Sequence, residues 1–109
     1  MAKCKFMGVT VDCSKVDDLH AAAMQDDSVA ALFASSDAAL RRLNAARDAA
    51  NKVWGRPMAD FDAAHAAVDT AAAAHADANR LASDAMRSVV HRLVARDVLR
   101  DLHKRRVAA

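Results

Sequence analysis

Trp54-Gly55-Arg56-Pro57 is the stretch that decides the fold. It holds the chain's single proline and one of its two glycines, so it is the clearest interruption in an otherwise helix-friendly sequence. Glycine suits the residue that closes a helix C-terminus. Proline, which lacks an N–H, suits the first turn of the next helix. The four residues predict a tight turn between two helices.

Upstream of the turn, Val29, Phe33, Leu40, Leu43, Ala50 and Trp54 fall on a 3/4 spacing, with Ser36 and Arg47 as polar members of the same seam. That periodicity predicts an amphipathic helix over 28–54. Ser35, Ser36 and Asp37 form a local cap signal at which this helix could break. Downstream, Met58, Phe61, His65, Val68, Ala72, His75, Asn79, Ala82, Met86, Val89 and Leu93 continue the spacing, and neither glycine nor proline occurs again. One helix over 57–105 follows, roughly 70 Å long against about 40 Å for the helix before the turn.

Toward the N-terminus, Ser14 stands three residues before Asp17, a capping-box-like pair that would open a short helix over 14–25 through Val16, Leu19 and Met24. Asp26 and Asp27 end that helix or cap the next. Lys3 to Val11 is the only stretch rich in β-compatible residues, and one isolated strand needs a partner. Residues 1–13 are therefore expected as an irregular or single-strand arm. The expected architecture is all-α: a single domain over 1–109, a long helical hairpin with a short N-terminal helix, a medium helix and a very long C-terminal helix, bundle or coiled-coil-like.

Composition limits the core. Alanine supplies about half of the 54% hydrophobic residues, and aromatics are only 4%, so little large apolar volume is on hand to bury. All 14 acidic residues are aspartate. Net charge is +2, unevenly placed: residues 84–109 carry 7 Lys or Arg against 3 Asp. No run of about 18 uncharged apolar residues occurs, so no membrane-spanning helix is expected. Two cysteines, Cys4 and Cys13, make no disulfide framework of the secreted kind, and free thiols in a cytoplasmic or otherwise intracellular setting are the expectation.

Antiparallel pairing from the turn would set residue 28 beside roughly 83 and leave the rest of the long helix unaccompanied. The large aliphatics concentrate there: Met86, Val89, Val90, Leu93, Val94, Val98, Leu99 and Leu102. Full burial of these eight would gain on the order of 10 to 20 kcal/mol gross, too much to leave wet. One cover is the chain itself, with the N-terminal arm (Phe6, Met7, Val9, Val11) folding over the end. The other, which the alanine-packed middle favours, is a second chain, a copy or a different protein.

Chemistry-bearing patterns are few. Asp17 with His20 and Asp62 with His65 have the i, i+3 spacing of helical metal ligands, yet no glutamate exists to bridge them. Cys4, Cys13 and His20 lack the tight cysteine pair of structural zinc sites. His65, His75 and Asn79 are polar members of the long seam, of the kind that fixes register or makes an interface pH-sensitive. Arg92, Arg96, Arg100 and Lys104 form a stripe at four-residue spacing, extended by Arg105 and Arg106, which suits phosphates or an acidic protein surface. Asp97 and Asp101 interrupt it, and no aromatic residue stands nearby to stack on a base. No serine or cysteine sits in a nucleophile motif, and no glycine-rich loop exists to cradle phosphate. The expected function is a non-enzymatic interaction or assembly protein, without metal or cofactor, acting on a protein partner through the apolar and basic distal half of its long helix. Nucleic-acid binding through the arginine stripe is the alternative.

Overall fold

A computed structural model describes residues 2–108. In chain order they form strands β1 (Lys3–Phe6) and β2 (Val9–Asp12), a 3-10 turn (Cys13–Lys15), and helices α1 (Val16–Met24), α2 (Asp27–Asn51) and α3 (Met58–Ala108). Three helices, the last two joined as a hairpin, agree with the all-α expectation. The described residues fall into two compact groups, 31–82 and a second comprising 2–30 with 83–108.

In the group 31–82, Gly55 takes a φ of +81°, the left-handed conformation the turn required. The Pro57 carbonyl accepts the first bonds of α3, from Asp60 N and Phe61 N at 3.0 and 3.4 Å. Ala39 and Arg42 face Ala67, Thr70, Ala71 and Ala74, while Arg47 and Ala50 face Phe61, His65 and Val68. Positions equally far from the turn thus meet across the hairpin. Alanine lines much of this seam, and Ser36, Ala39, Leu43 and Ala82 are buried. The break at Ser35–Asp37 does not occur, because α2 runs through it and Ser36 joins the seam. α2 ends at Asn51, short of 54, as Lys52 and Val53 turn back through bonds to the Ala49 and Ala50 carbonyls. α3 continues to Ala108, beyond the expected 105.

The N-terminal arm is a correction to the single strand. Residues 3–12 split at Met7-Gly8 into an antiparallel pair, with Lys3 opposite Asp12 and Phe6 opposite Val9. The two loop residues both have positive φ, 52° and 83°, the pattern of the two-residue turns that match strand twist. Cys4, Phe6, Val9, Val11 and Cys13 alternate onto the more buried face, and Lys3, Lys5 and Thr10 onto the exposed one.

The capping box at Ser14 is also corrected. The chain makes a 3-10 turn there, and α1 starts at Val16 with no side-chain cap. Asp26 does cap α2, its Oδ1 accepting from Ser28 N at 2.9 Å and Val29 N at 3.2 Å. Asp26→Ala should therefore lower stability by about 1 kcal/mol in a urea titration, with an unchanged m-value.

In the second group, Val11, Leu19, Ala23, Val29, Met86, Val89 and Val90 form the buried apolar set. The N-terminal elements thus supply cover for this part of α3.

Candidate functional site

The eight aliphatics expected at a partner interface divide into three sets. Met86 and Val90 are 1% and 0% exposed and Val89 is also buried, so the chain's own residues enclose them. Leu93 and Val94 are half-buried. Val98, Leu99 and Leu102 are 53%, 66% and 51% exposed. Position along the helix and around it explains the division. Val90, Val94 and Val98 follow one another at four-residue steps, and the N-terminal segment encloses Val90 but only edges a cleft at Val94 and Val98, whereas Ala95, Leu99 and Leu102 lie on an exposed face beside them.

The charged residues of this helix are sorted in the same way. Arg92, Arg96, Arg100 and Lys104 are all exposed and follow one another at four-residue steps. Asp97 and Asp101 line a cleft of about 370 Å³ with Lys3, Asp12, Lys15, Val11, Leu19, Val94 and Val98, and Arg92 and Arg96 border neighbouring clefts against α1, where Asp18 and Asp26 also lie. Arg105 pairs with Asp101 at 3.2 Å, and Arg106 is exposed one turn beyond Leu102. The result is an apolar strip beside a cationic strip, with the two carboxylates on a cleft that Lys3 and Lys15 also line. Asp84–Arg87 also closes, at 3.5 Å, as its spacing anticipates.

The hairpin reaches α3 through its turn. His91 Nε2 donates to the Met7 carbonyl at 2.6 Å, and a Cβ on Gly8 would stand 3.5 Å from the same imidazole nitrogen. At the open end of the hairpin Lys3 donates to Asp12 at 2.8 Å. This hydrogen bond, and then the lysine's charge, hold the Asp12 carboxyl below its ordinary value, with Lys15 adding to the effect against a desolvation that opposes it. A depressed carboxylate stabilises the fold above its unfolded pKa and loses that contribution as pH falls through the folded one. The pair's contribution is therefore full above the ordinary aspartate value and is lost as pH falls through the lowered one.

Cys4 and Cys13 form a disulfide, which corrects the expectation of free thiols; their Cα atoms are 5.0 Å apart. With both sulfurs so engaged, they no longer argue for a reducing setting. Among the described residues no helix is long and apolar enough to cross a membrane. No three His, Cys or Asp side chains converge among the described residues, and Asp17, His20, Asp62 and His65 are all exposed. The His65 ring lies tilted against Phe61, with centroids 4.5 Å apart, and His75 is half-buried.

A second exposed apolar spot was not singled out from sequence. Trp54 is 73% exposed at the α2–α3 turn, resting edge-on against Phe61 at 5.6 Å, with Met58 exposed beside it. Its seam spacing suggested burial, but α2 ends three residues earlier and leaves it in the turn.

Compared with protein-family models, curated protein sequences and solved structures, the chain has no match.

Proposed function

We propose that this protein is a non-enzymatic interaction or assembly factor that docks on a protein partner through α3 between Ala95 and Arg106. One observation carries the reading: Val98, Leu99 and Leu102 remain half or more exposed on one face, while Met86 and Val90, on the same helix, are fully enclosed. A helix that lays an i, i+3, i+4, i+7 apolar strip into a partner's groove uses this arrangement. The neighbouring Arg92, Arg96, Arg100 and Lys104 favour a partner whose groove has an acidic wall.

The test compares the wild-type chain with Leu99→Asp/Leu102→Asp, by light scattering for self-association and by affinity purification from expressing cells for other partners. Loss of an assembly in the double variant supports the proposal. A monomer whose co-purifying proteins are the same with and without the substitutions overturns it.

Nucleic-acid binding is the second reading, favoured by the exposure of four cationic side chains at regular spacing along one helix. It predicts a gel shift that weakens steeply with salt and disappears in Arg92→Ala/Arg96→Ala/Arg100→Ala. No shift of duplex DNA or of RNA at low salt removes it.

A further inference from the structure

We infer that the Cys4–Cys13 bond is a redox latch: it holds the N-terminal hairpin against α3, and its reduction opens the hairpin and uncovers helix surface next to the docking strip. The bond does not join facing residues. Cys4 stands opposite Val11, whereas Cys13 lies beyond the end of β2 and starts the turn that leads into α1. The cross-link therefore ties the edge strand β1 diagonally to the root of the first helix.

Little else holds β1. The sheet has two strands of four residues each, and a lone hairpin of that size is marginal in water. The Lys3–Asp12 pair is exposed, with the Lys3 side chain 63% accessible, and such pairs add little. Cys13 N donates to the Ala2 carbonyl at 3.2 Å, and Met7 O accepts from His91. The turn itself works toward opening, because Met7 occupies a positive-φ position that suits asparagine, aspartate or glycine. Closing a loop of about ten residues is the cross-link's contribution, and losing it shifts the opening equilibrium on the order of a hundredfold.

Both cysteines are half-buried rather than enclosed, so a small dithiol can reach them. The exchange is balanced: a dithiol reductant gives up two electrons and two protons, its own sulfurs join, the Cys4–Cys13 bond breaks, and two thiols remain. With the hairpin open, His91 loses the Met7 carbonyl and the cleft between Val11 and Val94 loses one wall. Val94 and Val98, which line that cleft together, then lose cover from the N-terminal side, enlarging the strip available to a partner.

Opening is a property of the hairpin alone, and only its effect on docking rests on the function proposed above. The experiment keeps the two apart. Full-length protein, exposed to oxidised glutathione and checked by thiol titration, is studied by hydrogen exchange and hydroxyl-radical labelling with and without dithiothreitol. Cys4→Ser/Cys13→Ser serves as a second route to the unlatched form, with circular dichroism confirming retained helix. Expected are no titratable thiols in the oxidised chain, tens-fold to hundredfold faster exchange of the β1 and β2 amides on reduction, and increased labelling at Val94 with Arg80–Ala85 unchanged. Two thiols persisting after oxidation, or equal ladder exchange and Val94 labelling in both states, overturn the latch. If opening is seen but the Leu99→Asp/Leu102→Asp comparison shows no partner, the latch stands and the docking reading fails.

Discussion

Met86→Ala is expected to cost about 2 to 5 kcal/mol, and Val90→Asp to leave the chain without its folded N-terminal packing. Among the described residues three of the ten buried apolar ones are alanine, which leaves the large side chains few, and Met86 and Val90 are among the largest that are fully enclosed. A domain of this length holds roughly 5 to 15 kcal/mol in total, so the loss at Met86 alone is a sizeable fraction. Thermal melts followed by circular dichroism should show Met86→Ala well below wild type and Leu99→Ala close to it. Equal effects at the two sites would mean that Leu99 is as enclosed as Met86, contrary to its 66% exposure.

Leu99→Asp/Leu102→Asp is expected to reverse that pattern, with no measurable loss of stability and binding weakened thirtyfold or more. The reasoning is again one of environment. Both leucines are more than half exposed, so carboxylates there remain hydrated in the free protein. In a partner's apolar groove they would be stripped of water, and truncation of central interface residues commonly costs 2 kcal/mol or more. Isothermal calorimetry on a purified complex, beside urea titrations of the free variants, separates binding from folding. A double variant that melts early would place these residues in the fold.

The helices were legible because their signals are local. The 3/4 spacing, Gly55 and Pro57 gave the α2–α3 hairpin, and Asp26 the start of α2. The arm was misread because a two-residue hairpin loop is recognised by asparagine or aspartate before glycine, and here methionine stands at that place. A disulfide between residues nine apart follows only once β1 and β2 are known to pair, since that pairing sets the 5.0 Å Cα separation. The division of the distal aliphatics was hidden for another reason. Periodicity tells which residues share a face, but which face is covered depends on an N-terminal segment some 80 positions away.

That separation has a kinetic side. The Met7–His91 hydrogen bond joins residues 84 apart, whereas the α2–α3 seam grows outward from a turn and brings near neighbours together first. Loop closure costs only about 0.6 kcal/mol more for each doubling of length, so the long connection is thermodynamically cheap. Rates respond to it more strongly, because non-local contacts must wait for the search that closes the loop. The α2–α3 seam can zip from its turn, while the enclosure of Met86 and Val90 is expected to come later, as a second phase in stopped-flow refolding. During that interval the most apolar stretch of α3 is open to whatever else the solution contains.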